Sequence, residues 1–189
     1  ILESVILLNQ AQNYDEFREA LRYWDVPSQN IIYADVDGNI AYQTPGLIPI
    51  RKDGTGEVPV PGWTGEYEWQ GWIPYEELPA LLNPEQGYIV TANHAIVDNK
   101  YPHFIAFDWS SGDRGYRINE LIAAEISSGG NISLNDLARI QFDNLSLPAR
   151  SYIPLMEELT SDDPDVQAAI ERLRGWDMRE TRASVPSSL

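Results

Sequence analysis

An Asp37-Gly38 pair separates two short runs of β-prone residues, and this pattern constrains the fold more than any other in the chain. The runs cover residues 30–35 and 39–43. An Asp-Gly pair between such runs is typical of a tight β-hairpin, because these residues accept the positive φ angles that the turn requires. Residues 35–39 also faintly resemble a calcium loop, but the required spacing and the later Glu ligand are missing. We therefore predict an antiparallel hairpin rather than a metal loop.

Helix signals lie before this hairpin and throughout the second half of the chain. Caps and apolar residues at helical spacing predict four helices. The signals are Asn13 as N-cap before Phe17, Ala20, Leu21 and Trp24; Ile118 to Ile126 closed by Gly129-Gly130; Ser133 with Asp136 as a capping box for a helix through Phe142; and Asp163 with Pro164 before a helix that ends at Gly175. Strands and helices in one unit indicate an α+β fold.

A long excursion rich in Gly and Pro runs from Pro45 to Pro74 and shows no helical period. Its large aromatic residues are Trp63, Tyr67, Trp69 and Trp72. Loops of this length in compact domains are usually functional or disordered. Because each large ring tends to bury much surface, we expect an ordered excursion whose aromatic side chains pack against the protein rather than contact a ligand.

The segment after the excursion is predicted to contain a helical turn near residues 76–82 and a buried strand over 87–92. That strand would end at Asn93 and His94, and strand ends are places where sites are often built. His94 and His103 are the two histidines of the chain, and their separation of nine residues is not typical of a metal-binding pair. We interpret both histidines as structural.

Composition excludes several classes of protein. Without cysteine, the chain has no disulfide, thiol nucleophile or zinc-thiolate site. A net charge of −16 disfavours nucleic acid as a partner, because binding to phosphates relies on clustered Lys and Arg. No apolar run approaches the roughly 18 residues of a membrane span. A nucleophile elbow, a P-loop, a dinucleotide fingerprint and a His-Glu-x-x-His motif are also missing from the sequence.

Seven short blocks, taken in order, resemble the penicillin acylase family, which includes acyl-homoserine lactone acylases. The blocks are Tyr33–Tyr42, Pro59–Trp63, Tyr67–Trp69, Pro84–Tyr88, Thr91–Asn93, Trp109–Arg114 and Trp176-Asp177. Each block alone is common, whereas their joint order is specific. The resemblance covers essentially the whole chain.

This resemblance implies an N-terminal nucleophile hydrolase with a four-layer αββα core. In such enzymes a Ser exposed by cleavage of a precursor attacks an amide carbonyl, and its own α-amine is the base, since an α-amino pKa near 8 suits that role. Residue 1 is Ile, and no segment matches the family's nucleophile motif. We therefore expect residues 1–189 to be a single internal segment, with a hairpin, loop and strand portion (1–93) and a mainly helical portion (94–189), and we expect it to be inactive by itself.

By the same resemblance, Asn93 matches the family's catalytic Asn and Arg114 its active-site Arg. A neutral amide donor suits an oxyanion, an effect worth roughly 3 kcal/mol in other enzymes. The resemblance implies that Arg114 organises the surrounding polar network, with Asp113 as an orienting partner. Two structural alternatives stay open: Asn93 as a turn residue, and Arg114 in a surface ion pair with Asp113 or Glu120.

Some family members hold a structural calcium ion, and the position of one carboxylate ligand corresponds to His103 here. Calcium prefers oxygen ligands, so this substitution argues against the ion even though a carbonyl near Gly56 is available. We expect no cofactor. The partners implied are the remainder of the acylase chain, including its terminal Ser and partner subunit, and a small amide substrate; family members are often periplasmic or secreted.

A different hypothesis is a binding module in which the aromatic residues of the excursion form a platform for sugars or acyl tails. The exposure and orientation of the rings distinguish the two hypotheses. Rings that are coplanar and open to water favour a platform, whereas rings that pack under the loop favour an enzyme scaffold.

Overall fold

The computed structural model of the chain describes residues 1–129 and 131–188, apart from the side chain of Glu157. These residues form two compact units, Ile1–Ser110 and Ser111–Leu189, called here the N-terminal and C-terminal units. The strands of the described residues lie in the N-terminal unit, and the C-terminal unit is built from α-helices. The predicted mixture of helices and strands is therefore confirmed.

The N-terminal unit opens with a helical segment. Its elements are α1 (Leu2–Gln10), α2 (Tyr14–Ala20) and a 3-10 turn at Leu21–Tyr23. The side-chain oxygen of Asn13 accepts a hydrogen bond from the backbone N–H of Glu16 at 3.0 Å, so the predicted N-cap of α2 is confirmed. Leu21 is fully buried, and it anchors this segment in the core.

Five short strands follow, and they form two small antiparallel sheets. The strands are β1 (Ile31–Ala34), β2 (Ile40–Gln43), β3 (Pro49–Arg51), β4 (Trp69–Trp72) and β5 (Ala80–Leu82). The first sheet has the order β1-β2-β5, and the second pairs β3 with β4. The pairing of β1 with β2 confirms the predicted hairpin.

Asp35 holds the turn of this hairpin. One of its carboxylate oxygens accepts the backbone N–H groups of Asp37 and Asn39 at 3.0 and 2.8 Å, and the other accepts the side-chain amide of Asn39 at 2.8 Å. These bonds, led by the Asn39 side chain, lower the pKa of Asp35. Gly38 has a φ of 88°, which is strained for residues with a Cβ. The carboxylate is thus used by the turn itself.

The predicted strand over residues 87–92 is wrong, because the structure forms no ladder there. The position beside β2 is occupied instead by β5, which begins seven residues earlier than the predicted strand. Asn83 ends this pairing by exchanging two hydrogen bonds with Ile40, and a turn closed by the Gly87 N–H on the Pro84 carbonyl follows. A β-prone composition does not make a strand without a neighbour to pair with. The helical turn predicted near residues 76–82 is shorter in the structure and covers Tyr75–Glu77.

The long excursion begins and ends in strands β3 and β4, so it is a hairpin with an extended tip. Its base packs on a small apolar cluster of Ile48, Ile73 and Leu78. The expectation that the large rings pack against the protein is wrong for the tryptophans, since Trp63, Trp69 and Trp72 are 88%, 58% and 43% exposed, whereas Tyr67 is half-buried. A two-stranded ribbon has two faces, and the core of this unit covers only the isoleucine side.

The C-terminal unit contains four helices. They are α3 (Asp113–Ser127), α4 (Leu134–Gln141), α5 (Leu147–Glu157) and α6 (Pro164–Leu173). Three of these were predicted, and the capping box of Ser133 with Asp136 is present. Gly129 ends α3 with a φ of 80°, as expected, while Gly130 lies outside the described residues. Asp163 caps α6 by accepting the N–H groups of Asp165 and Val166.

Helix α5 was not predicted, because Pro148 and Pro154 interrupt its sequence pattern. Pro148 lies in the first turn, where backbone N–H groups have no partner within a helix, so the N–H that proline lacks is not needed there. Pro154 lies inside the helix, a position that normally argues against one. None of the described helices is long and apolar enough to cross a membrane.

Candidate active-site residues

Asn93 lies in the N-terminal unit with a φ of 62°, in the left-handed region that few residues other than Gly adopt. Its carbonyl accepts the N–H of Ser110 at 3.0 Å, and the preceding Ala92 is buried. The Asn93 residue itself is exposed. Asn is, with Asp, the residue other than Gly that most often adopts this region, so this φ fits both a turn residue and a residue that offers a neutral amide donor.

His94, the next residue, is half-buried, and its Nδ1 atom has no hydrogen-bond partner among the described residues. A buried polar atom without a partner costs free energy, so such atoms mark places where water or another group is expected to bind. The interpretation of His94 as a purely structural residue remains a prediction.

Arg114 is the second residue of α3, and Asp113 is the first. The helix is preceded by Gly112, where an added Cβ would lie 2.6 Å from the ring of Tyr116. A side chain at position 112 is therefore excluded unless that ring moves. This close packing fixes the chain as it enters α3 and so fixes where the Arg114 side chain begins.

Asp113 and Arg114 line a groove of about 820 Å³ within the C-terminal unit. The apolar part of its wall includes Ile118 and Leu121 from α3, Leu137 and Ile140 from α4, and Leu147 and Pro148 from α5. Ser111, Arg117, Asp143 and Glu180 add polar groups to the same wall. A groove with apolar walls and a few charged groups is typical of sites that bind small organic molecules.

An ion-pair network lies on the wall of this groove. Arg117 donates to both carboxylate oxygens of Asp143 at 2.7 and 3.0 Å, and Arg179 donates to one of them at 3.3 Å. Arg117 holds the pKa of Asp143 at about 2. Glu120 accepts from Arg117 and Arg150 at 2.9 to 3.0 Å, and these partners lower its pKa, with Arg150 the larger cause.

Comparison with known proteins identifies the family of this chain. The sequence profile of the penicillin amidase family matches residues 1–189. The chain belongs to the penicillin amidase family.

Relatives and a solved structure support this assignment. The chain is 38% identical over 136 residues to penicillin acylase 2 proenzyme of Pseudomonas sp. strain SE83, which covers 72% of this chain and 16% of the relative. It is 30% identical over 200 residues to acyl-homoserine lactone acylase QuiP of Pseudomonas aeruginosa, covering 100% of this chain and 23% of the relative. A thermostable penicillin G acylase from Alcaligenes faecalis has a TM-score of 0.69 and 28% identity, with 96% of this chain and 33% of that chain covered. This penicillin amidase chain thus spans about a quarter or less of the length of these curated relatives.

Within this penicillin amidase chain, the structure brings Asp113 and Arg114 together on one groove wall, whereas Asn93 belongs to the N-terminal unit. The pairing of Asn93 with Arg114 stays a prediction. Sequence reasoning missed Arg117, Asp143 and Arg179, because Asp143 follows its main partner by 26 residues and no local pattern links them.

The structure satisfies one of the two conditions for an aromatic platform, which are exposure to water and coplanar rings. Trp69 and Trp72 are open to water, but their rings meet edge to face, with centroids 5.3 Å apart and planes at 67°. A sugar ring or an acyl tail stacks on a flat surface, and this pair does not offer one. The arrangement therefore gives the platform hypothesis less support than exposure alone would.

The residues that match the family's calcium site do not fit calcium. His103 and Gly54 line one cavity together with Arg51, and Gly56 lies beside the Arg51 guanidinium. Among residues 1–129 and 131–188, no group of three or more His, Asp or Glu side chains is arranged to hold a metal ion. An imidazole and a guanidinium disfavour a hard cation that takes oxygen ligands.

Proposed function

We propose that this chain is part of an amide hydrolase that cleaves linear amides of the penicillin or acyl-homoserine lactone type, and that it supplies the oxyanion donor. The family assignment supports the class of reaction, because the matching relatives are named acylases. The observation that carries the site is the exposed, left-handed Asn93 at the end of the block Thr91–Asn93. The fold proposed for the complete protein is the αββα sandwich of N-terminal nucleophile hydrolases.

The chemistry requires a terminal Ser that lies outside these 189 residues. Its hydroxyl adds to the amide carbonyl while the proton passes to the α-amine of the same residue. The C–N bond then breaks, the amine leaves with that proton, and water hydrolyses the acyl-Ser ester to release the carboxylic acid. The rest of the polypeptide, which carries that Ser, and the partner subunit are therefore the proposed partners of this segment.

Asn93 would donate from its side-chain amide to the oxygen that becomes negative when the Ser adds. A neutral amide keeps its donor at every working pH and stabilises the transition state more than the ground state. Arg114, with Asp113, is proposed separately, from the family resemblance, as a positioning residue for the reaction.

The test is the variant Asn93→Ala in the complete polypeptide that carries this segment with its nucleophile. We expect kcat to fall about 100-fold to 1000-fold, as for removal of other oxyanion donors, with KM changed much less. Asn83→Ala is the matched control: Asn83 is also an exposed, left-handed Asn, with a φ of 47°, but its side-chain oxygen accepts the N–H of Ile40. The control should lose stability and keep its kcat, and an Asn93→Ala enzyme with unchanged kcat would exclude the proposed role.

Arg114→Lys tests the positioning role in the same polypeptide. Lys keeps the charge but loses the planar fork of donors, so we expect at least a tenfold fall in kcat and a shifted pH profile. Arg150→Lys is the control, since Arg150 is 45% exposed and pairs with Glu120 at the surface. Equal pH profiles for Arg114→Lys and the parent would contradict the proposal.

The 189-residue chain alone is expected to show no turnover of an anilide substrate, because it would lack the nucleophile. The complete polypeptide is the positive control. Turnover by the pure 189-residue chain, which persists after further purification, would mean that the nucleophile lies within these residues.

A further inference from the structure

A second cavity, of about 220 Å³, lies within the N-terminal unit between the β3–β4 hairpin and the segment of residues 102–104. Its apolar wall includes Ile50, Ile73 and Phe104, and its polar wall includes Arg51 and His103. The volume is below that of most drug-sized ligand sites, so the cavity suits a small group.

Arg51 is a half-buried cation without a carboxylate beside it. Its guanidinium group has no ion-pair or hydrogen-bond partner among the described residues, although the chain carries 29 Asp and Glu against 13 Lys and Arg. Removing a charge from water without a partner is costly, so half-buried guanidinium groups are normally paired. The side chain of Arg51 thus has an unused capacity to bind an anion.

The glycine-rich turn holds this guanidinium in place. A Cβ added to Gly56 would lie 3.1 Å from both Nε and Nη2 of Arg51, and the φ of Gly56 is 83°. The guanidinium therefore rests directly on the backbone of the turn, in a place that only glycine leaves open. Its position is set by the fold rather than by an ion pair.

His103 is fixed on the same wall by neighbours from other segments. Its Nε2 atom is hydrogen-bonded to the carboxylate of Glu77, and its ring meets Tyr101 edge to face with centroids 5.7 Å apart. The Tyr101 hydroxyl donates to the Glu77 carbonyl at 2.7 Å. The Nδ1 atom of His103 has no hydrogen-bond partner among the described residues. The Glu77 carboxylate, which is the acidic group beside His103, is therefore already hydrogen-bonded.

We propose that this cavity binds a carboxylate with a small apolar body, in the region where the family resemblance implies calcium. A guanidinium offers two parallel donors to a carboxylate, and the apolar wall accepts the attached carbon atoms. The carboxylate is either a small free anion or an Asp or Glu side chain from the rest of the polypeptide. This inference is independent of the function proposed for Asn93.

The first test uses the 189-residue chain labelled for NMR and titrated with sodium acetate against sodium chloride at equal ionic strength. We expect acetate, and not chloride, to shift the Arg51 Nε–H signal in a saturable way. Arg51→Gln should weaken the apparent affinity at least tenfold, since the charge-assisted pair is lost. Lys52→Gln is the matched control, because Lys52 donates to the Gly65 carbonyl and does not line the cavity.

A second arm repeats the titration with calcium chloride. A saturable calcium response that His103→Ala abolishes would overturn the proposal, as would acetate shifts no larger than those of chloride. If Arg51→Gln fails to fold, Arg51→Lys replaces it; this variant keeps the charge and should bind acetate more weakly than the parent.

A third arm identifies the source of the carboxylate in the complete polypeptide. Acetate binding there indicates a free anion. Exclusion of acetate together with a lower melting temperature for Arg51→Gln than for Lys52→Gln indicates an internal Asp or Glu. Exclusion of acetate with equal melting temperatures for the two variants would overturn the proposal. None of these results depends on kcat, so they can fail separately from the test of Asn93.

Discussion

The two units of the chain are held together in different ways. Among the described residues, the buried apolar side chains of the N-terminal unit are Phe17, Ala20, Leu21, Ala41, Tyr42, Ile48, Ile73, Leu78 and Ala92, whereas those of the C-terminal unit are Leu147, Ile153 and Ile170. The C-terminal unit instead connects its helices by ion pairs, with Asp143 at the centre of one network. The first unit therefore depends on apolar burial, and the second depends more on charged contacts between segments.

The C-terminal unit also leaves large apolar side chains exposed. Leu134, Phe142, Tyr152 and Leu155 are 85%, 80%, 64% and 64% exposed. Helices with one apolar stripe need a neighbour to cover that stripe. The comparison teaches that the two units differ in how their segments are connected, while large apolar side chains are exposed in both.

The largest expected effect tests the apolar half of the comparison. Leu21→Ala should lower the free energy of unfolding of the N-terminal unit by about 3 kcal/mol, because a fully buried side chain leaves a cavity. Native-state amide hydrogen exchange measures the two units separately. Leu134→Ala, at a side chain that is 85% exposed, is the control and should change stability by no more than about 0.5 kcal/mol. Equal effects of the two variants would break the comparison.

The charged half of the comparison is tested by Asp143→Asn. Asp143 is 11% exposed and accepts from two arginines, so loss of its charge should cost the C-terminal unit about 2 kcal/mol. Arg150→Gln removes a half-exposed pair and should cost no more than about 0.5 kcal/mol. Protection of the α3 and α5 amides against hydrogen exchange measures the effect of both variants. If both variants lower the free energy of unfolding equally, the network around Asp143 stabilises the unit no more than an exposed ion pair does.

The lowered pKa of Asp143 also predicts that the stability of the C-terminal unit depends on pH. The pKa of Asp143 is about 2 in the folded chain and about 3.9 when unfolded, so its contribution is fully present above about pH 4 and is lost as the pH falls toward 2. Asp143→Asn should therefore show a flatter loss of stability in this window than the parent does. Asp136, whose pKa is also about 2, is present in both proteins, so their difference isolates Asp143.

The smallest effect sharpens the comparison within the helical unit. Ser133→Ala removes the side-chain half of a reciprocal cap, in which Ser133 Oγ accepts the Asp136 N–H at 3.2 Å. The other half, in which the Asp136 carboxylate accepts the backbone N–H of residue 133 at 2.9 Å, can still form. We expect a loss of about 1 kcal/mol in α4. Ser146→Ala removes a longer, single cap bond of 3.5 Å to Ala149 and should cost less. The order of the two losses, measured by urea denaturation, is the result to check.

Local signals allowed much of the fold to be predicted. The hairpin at Asp37-Gly38 and the capped starts at Asn13, Ser133 and Asp163 were all found from a few neighbouring residues. The strand over 87–92 was wrong and α5 was missed, because strand pairing and a helix through Pro154 depend on what lies beside the chain. Periodicity and caps carry no information about such neighbours.

The candidate sites divide in the same way. Asn93 and Arg114 came from ordered motif blocks, and their roles stay predictions. The network around Asp143 and the cavity of Arg51 with His103 could not be predicted, since their members lie 26 and 52 residues apart and only the folded chain brings them together. The exposure of Trp63, Trp69 and Trp72 was also predicted incorrectly, because aromatic content does not indicate which face of a two-stranded ribbon is covered.

The edge-to-face contact of Trp69 and Trp72 has an optical consequence. Two indoles 5.3 Å apart absorb as a coupled pair, and indoles open to water emit at long wavelength. Any segment that covers this end of the hairpin would move that emission toward the blue. The fluorescence of this pair would therefore report whether another segment covers Trp69 and Trp72.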